Sequence, residues 1–168
     1  MKPIAELLQQ NVVLGDGGYL MMSSEIVTAL QEGYKLTIVV LNNYGFSSIG
    51  GLSQALGSGG FGTDYKMRRT ESGQLDGPRL EVDFAANAAS LGAQVERAKT
   101  REDLERALEV ARENERTTVI VIEVAKEERV PGYESWWDVP VAEVSEMESV
   151  KRARESYEKG LKRERFFS

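Results

Sequence analysis

Short apolar runs separated by helical periodicity predict an α/β protein. The run at 12–14 predicts an apolar strand, and the run at 36–41 predicts a second one. Within the second, 37–41 is too apolar and β-branched to be half exposed, as a central parallel strand is. A brief strand at 94–96 and another apolar strand at 117–124 follow. A short helical piece at 4–10 precedes the first of these strands. The chain therefore supplies at least four strands for one sheet.

The segments between the strands carry helix start and stop signals. Ser23 or Ser24 is predicted to cap a helix that ends at Gly33. Asp83 is predicted to cap an alanine-rich helix, and Thr100 opens a capping-box variant before the next one. This alternation predicts a three-layer α/β/α fold with a mainly parallel, doubly wound sheet.

Two later segments break the alternation. The stretch 46–63 is dense in glycine, which favours loops and short helical turns, and 70–78 continues as a polar loop. A lid or contact surface and a plain exposed connection both remain open for that loop.

The C-terminal segment has a different character. Both tryptophans lie in a proline-bracketed loop at 131–140, where they pack against the protein or a neighbouring subunit, or line a substrate pocket. A charged helix at 145–162 is predicted to be a solvated or docking tail.

Polar, glycine-bearing residues follow the first two strands. They read Gly-Asp-Gly-Gly at 15–18 and Asn-Asn-Tyr-Gly at 42–45. Because neighbouring parallel strands end at the same edge of a sheet, we expect Asp16 and Asn43 to lie within a few ångströms of each other. Backbone N–H groups at the glycines suit a diphosphate. The oxygens of Asp16 and Asn43, with a main-chain carbonyl near Gly45, suit Mg²⁺ bridged to phosphate.

Composition narrows the class of protein. The 168 residues carry a net charge of −6, which argues against nucleic acid as a partner. The absence of cysteine fits a cytoplasmic protein, and no apolar run is long enough to predict a membrane span. Because histidine is absent, acid–base chemistry near neutral pH must come from carboxylates, a cofactor or another chain.

The two strand ends together resemble the signature of the thiamine diphosphate-dependent enzymes. In that signature Gly-Asp-Gly is followed, after an intervening segment, by Asn-Asn; here the intervening segment is 18–41. The resemblance implies thiamine diphosphate and Mg²⁺ as cofactors. It implies that Asp16, Asn43 and the carbonyl of Gly45 bind the metal. The residues it implies at the cofactor are Gly15, Asp16, Gly17, Gly18, Asn43, Gly45 and Phe46.

A second resemblance concerns the tail. Gly-Tyr-Glu-Ser-Trp-Trp at 132–137, Val-Ala-Glu-Val-Ser at 141–145 and Leu-Asp-Gly-Pro at 75–78 are similar to the hydrolase subfamily that opens trihydroxycyclohexane-1,2-dione in inositol breakdown. It implies a C–C hydrolase with a cyclic dione substrate. Residues 1–128 would then form the diphosphate-binding domain and 129–168 an aromatic loop and helical tail.

The resemblance also implies missing parts. The activating glutamate of the family lies in a pyrimidine-binding domain, so we expect an N-terminally truncated chain that is inactive without that domain or subunit, has no catalytic residue of its own, and assembles as a homo-oligomer. Two alternatives stay open. The chain is the small subunit of a two-chain oxo-acid decarboxylase, or it is a non-catalytic oligomerisation module.

Overall fold

The computed structural model describes residues 10–126, 128 and 138–164. Strands alternate with helices along most of that range, as the apolar runs predict. In chain order the elements are β1 (Gln10–Gly15), α1 (Asp16–Met22), α2 (Glu25–Gln31), β2 (Leu36–Asn42), α3 (Ser47–Ala55), α4 (Phe84–Ser90), β3 (Gln94–Ala98), α5 (Arg101–Glu113), β4 (Thr118–Glu123) and α6 (Glu148–Leu161).

The four strands form one parallel sheet in the order β1-β2-β4-β3. Gly15 pairs with Leu41, and Asn42 pairs with Glu123, so the carboxyl ends of β1, β2 and β4 are level. The predicted fold class, an α/β protein with a doubly wound parallel sheet, is confirmed.

Helices pack on both faces of the sheet, since successive strand residues point to opposite sides, but the edge strand β1 is poorly covered and leaves Val13 64% exposed. On one face α5 packs over a buried cluster of five residues, Val39, Ala98, Ala107, Ala111 and Ile120. On the other face Tyr19 of α1 meets Phe84 of α4, and both rings are buried. This arrangement is the predicted three-layer sandwich.

The helix caps agree with the sequence in two places and differ in a third. Asp83 accepts a hydrogen bond from the Ala86 amide, and Thr100 forms a complete capping box with Asp103. Ser24 has an α-helical backbone and no side-chain cap bond, because the chain passes almost directly from α1 into α2. The predicted side-chain cap at Ser24 is therefore wrong.

The described residues fall into two compact units. The first lies within Met1–Phe46 and Leu80–Lys126 and contains the whole sheet. The second lies within Ser47–Arg79 and Glu127–Ser168. Every predicted cofactor residue belongs to the first unit, so the candidate site is described there alone. The predicted domain division after residue 128 stays a prediction.

The second unit joins α3, the polar loop and α6. The Ser149 hydroxyl donates to the Gly57 carbonyl at 2.6 Å, and Val150 is buried, so the charged C-terminal helix is seated at its start rather than solvated all round. The polar loop is closed by an antiparallel bridge between Lys66 and Arg79. The tryptophan-bearing residues 131–137 lie outside the described residues. No helix in the described part of the chain has the length and apolarity to cross a bilayer.

Candidate cofactor and metal site

The candidate site lies where β1 and β2 end side by side. Gly15 closes β1 and precedes the first residue of α1, Asp16, while Asn43 directly follows β2. Residues 15–18 are thus the junction of a strand and a helix, not the free turn that the glycines predict. The register confirms that both polar segments reach the same edge of the sheet.

Asp16 is fully buried at this edge. Its Oδ1 accepts a hydrogen bond from the Gly17 amide at 2.8 Å, and its Oδ2 accepts one from the Gly45 amide at 3.0 Å. Burial raises the pKa of the Asp16 carboxyl, whereas the amides of Gly45, Gly17, Tyr44 and Asn43 oppose that rise. A buried carboxylate held by backbone amides keeps lone pairs free for a cation.

The segment after β2 is shaped by a hydrogen bond that the sequence interpretation missed. Asn42, which is buried, accepts a hydrogen bond on Oδ1 from the Tyr44 amide at 3.1 Å. Tyr44 has a φ of 63°, which is rare for a residue with a Cβ. This tight turn directs the Gly45 amide toward Asp16. The signal was available, because asparagine commonly bonds the backbone two residues ahead.

Asn43 supplies an unsatisfied polar atom. Its Oδ1 is buried, and no described residue donates a hydrogen bond to it. Buried amide oxygens nearly always have a partner, and leaving one unpaired is costly. An amide oxygen in this state, next in sequence to the turn that surrounds a buried carboxylate, is suited to a hard divalent cation.

Phe46 and the glycines shape the surface around Asp16. A Cβ added at Gly15 would meet nothing within 4 Å, so the space directly in front of it is open. A Cβ at Gly17 would lie 2.6 Å from Cδ1 of Phe46, which places the phenyl ring against the backbone of α1. At Gly18 a Cβ would make only ordinary contact, 3.7 Å from Leu14.

These contacts predict opposite effects at two adjacent glycines. Gly17→Ala must displace the Phe46 ring or shift α1, and we expect it to lower the free energy of unfolding by about 1–2 kcal/mol. Gly18→Ala gains helix propensity without a clash, so it should raise that free energy by up to about 1 kcal/mol. Chemical denaturation measures both. Adding Phe46→Leu should rescue Gly17→Ala, and an equal loss at both glycines would contradict the contact with Phe46.

The donor set determines which metal the site suits. One carboxylate, one amide oxygen and main-chain carbonyls are hard ligands, too few to enclose an ion. Within the described ranges no three acidic, histidine or cysteine side chains cluster as they would in an all-protein cage. Mg²⁺ fits such a site when a phosphate ligand completes its coordination.

The cleft beside the candidate site carries more acidic than basic side chains. It is lined by Asn42 and Tyr44 together with Glu81, Asp83, Arg97 and Glu123. Arg97 is already paired with Asp83 at 2.6 Å, and the amide of Ala86 and Arg97 lower the pKa of the Asp83 carboxyl. Because acidic groups outnumber basic ones there, a diphosphate is better placed at the glycine-bearing strand ends.

A family of known proteins matches most of this chain. Residues 5–122 match the family described as thiamine pyrophosphate enzyme, C-terminal TPP binding domain. The match spans well over half of the chain and includes every predicted cofactor residue.

Curated relatives give a narrower likeness. The chain is 42% identical over 150 residues to 3D-(3,5/4)-trihydroxycyclohexane-1,2-dione hydrolase of Geobacillus thermodenitrificans (strain NG80-2), covering 89% of this chain and 24% of that protein. It is 41% identical over 150 residues to the protein of the same name from Clostridium botulinum (strain Eklund 17B / Type B), covering 89% and 23%. The chain thus spans about a quarter of the length of these relatives.

Solved structures support the fold. Benzoylformate decarboxylase from Polynucleobacter necessarius superimposes with a TM-score of 0.58 at 21% identity, over 71% of this chain and 20% of that one. The thiamine diphosphate-dependent 4-hydroxybenzoylformate decarboxylase of Rhodococcus jostii RHA1 gives 0.55 at 23% identity, over 70% and 20%. At these identities the likeness establishes the fold and leaves the reaction open.

Proposed function

We propose that this chain, which belongs to the thiamine pyrophosphate enzyme family as a C-terminal TPP-binding domain, holds the diphosphate of thiamine diphosphate through a Mg²⁺ ion at the ends of β1 and β2. Asp16 and Asn43 would bind the metal through their side chains, and Gly45 through its carbonyl. Gly15, Gly17, Gly18 and Phe46 would border the diphosphate.

The buried, unpaired Oδ1 of Asn43 carries this proposal. Asp16 is fully buried too, and the backbone amide of Asn43 is among the groups that stabilise its ionised carboxylate. The two residues therefore lie close enough to share one cation. A cation there would pair the orphaned oxygen and offset the desolvation of the carboxylate at once. Neither need is met by the described protein groups alone.

The reaction belongs to the whole enzyme, and we propose it from the relatives. Their name indicates hydrolysis of a cyclic 1,2-dione, and their likeness covers about nine-tenths of this chain. Bound thiamine diphosphate supplies a carbon nucleophile and an electron sink for breaking a C–C bond. The chain's own part would be to position the cofactor through Asp16 and Asn43, whereas a pyrimidine-binding domain or subunit and a homo-oligomeric assembly would supply the remainder.

A two-chain decarboxylase is the competing enzyme. Its support is the fold of the solved structures, whose low identity does not favour any substrate. Assays of the chain with a pyrimidine-binding partner, using a cyclic dione and an oxo acid as substrates, separate ring opening from decarboxylation. A non-catalytic module would show no metal-dependent binding of the cofactor.

Asn43→Leu tests the site directly. Removing the unpaired buried oxygen should raise the free energy of unfolding of the metal-free chain by about 1 kcal/mol, because a similar-sized apolar group has no hydrogen bond to lose. The same change should weaken Mg²⁺-dependent binding of thiamine diphosphate at least tenfold, because a ligand is lost. Calorimetric titration and denaturation measure the two effects.

The matched control is Asn11→Leu, at the exposed amino-terminal end of β1. It should leave the affinity for Mg²⁺ and thiamine diphosphate unchanged. Unchanged affinity in Asn43→Leu as well would remove Asn43 from the metal site and count against the proposal.

A further inference from the structure

We propose that Tyr19 is a positioning residue for the metal site: it anchors the short helix that carries Asp16. The inference rests on the proposed function, because it assigns Tyr19 a role at the site of Asp16 and Asn43. Tyr19 lies three residues after Asp16, one helical turn along α1, and was not among the predicted cofactor or metal residues.

Helix α1 needs an anchor. It has seven residues, two of them glycines, and its N-cap residue, Gly15, makes no side-chain cap bond. Helices of this length are marginal in water, and each glycine weakens them further. Most of its apolar side chains give no help, since Leu20, Met21 and Met22 are 43–72% exposed.

Tyr19 supplies the missing contacts. Its side chain is 2% exposed, and its ring meets Phe84 edge to face with centroids 5.8 Å apart and an interplanar angle of 85°. Its hydroxyl donates to Oδ1 of Asn87 at 2.8 Å. Burial raises the pKa of Tyr19 to about 12, so the hydroxyl stays a donor throughout the neutral range.

The anchor point on α4 is itself fixed. Asp83 caps α4 and is held by Arg97 of β3. Phe84 is 1% exposed against the sheet. Tyr19 therefore ties α1 to an element that belongs to the core, and this tie holds Asp16 where its Oδ2 receives the Gly45 amide.

Tyr19→Phe removes the Asn87 bond and keeps the ring. In the metal-free chain we expect hydrogen exchange at the Gly17 and Gly45 amides, which donate to Asp16, to accelerate about fivefold. With thiamine diphosphate present, the Mg²⁺ concentration for half-saturation should rise by a similar factor. Asn87→Leu should reproduce both changes, whereas Asn87→Asp keeps an acceptor and should restore most of the affinity.

Thr100→Ala is the matched control. It removes the capping box of α5 on the opposite face of the sheet and should cost comparable stability. If Tyr19 acts only through global stability, Thr100→Ala will accelerate exchange at Gly17 and Gly45 and weaken Mg²⁺ binding equally. That result, or unchanged exchange in Tyr19→Phe, would overturn the inference.

The two proposals fail in different ways. A wild-type chain that shows no Mg²⁺-dependent binding of thiamine diphosphate would refute the proposed function. The exchange rates of the Gly17 and Gly45 amides would still decide, without any metal, whether Tyr19 holds the Asp16 carboxylate in place.

Discussion

Asp16→Asn is expected to reduce Mg²⁺-dependent affinity for thiamine diphosphate by more than roughly 100-fold, the largest binding effect that this site predicts. The change keeps the size of the side chain and replaces the one carboxylate that faces the proposed cation. Calorimetric titration of the chain with thiamine diphosphate, at fixed Mg²⁺, measures the loss. An affinity within about threefold of wild type would place the metal elsewhere.

Measuring the free energy of unfolding shows whether Asp16→Asn loses affinity because a metal ligand is gone or because the fold is disrupted. Asparagine still accepts one of the two backbone hydrogen bonds that Asp16 receives, and it removes a buried charge, so Asp16→Asn should unfold within about 1 kcal/mol of wild type. Asp16→Ala leaves both amides of Gly17 and Gly45 without their acceptor and should be the less stable variant. A cooperative denaturation curve for Asp16→Asn is therefore the control.

Asp16→Asn should also change how the free energy of unfolding depends on pH. The folded-state pKa of Asp16 lies above its ordinary value of 3.8, so the folded protein binds the proton more tightly than the unfolded chain. Protonated Asp16 therefore contributes to the stability of the folded state below pH 3.8, and the free energy of unfolding falls as pH rises through the folded-state pKa. Asp16→Asn should lack this fall, and Mg²⁺ should suppress it in the wild type by favouring the carboxylate.

The strand pattern predicted the parts of the site that depend on chain direction. The run before Asn43 is too apolar to be half exposed, and it forms the inner strand β2. The strand before Asp16, β1, lies at the edge of the sheet with Val13 64% exposed, and its parallel pairing with β2 brings the two ends together. Asp83 and Thr100 were likewise predictable, because capping uses a local hydrogen bond that the sequence spacing fixes.

The junction after β1 was not predictable in the same way. Gly17 and Gly18 are poor helix formers, so local propensity favours a turn, yet the burial of Tyr19 against α4 makes 16–22 helical. The positive φ falls on Tyr44 rather than on Gly45, because Asn42 bonds the Tyr44 amide. Both outcomes depend on contacts between residues far apart in sequence or on a side chain that competes for the backbone.

Gly57→Ala is expected to cause the largest loss of stability. Gly57 has a φ of 85°, a conformation that costs an L-residue about 1–2 kcal/mol, and its added Cβ would lie 2.5 Å from the Ser149 carbonyl oxygen. Because the obstacle is backbone at the start of α6, no side-chain rotation relieves it. Strain and overpacking together should cost more than about 3 kcal/mol.

Two other glycines of the same unit separate these causes. Gly62 has a φ of 75° with nothing within 4 Å of an added Cβ, so Gly62→Ala should show the strain alone, about 1–2 kcal/mol. Gly59 has neither a positive φ nor a neighbour, and Gly59→Ala should change the free energy of unfolding by no more than about 0.5 kcal/mol. Denaturation of the three variants, with hydrogen exchange in α6, measures the series. If Gly57→Ala proved no worse than Gly62→Ala, the seating of α6 against the Gly57 backbone would be wrong, because the contact with Ser149 is the feature that Gly62 lacks.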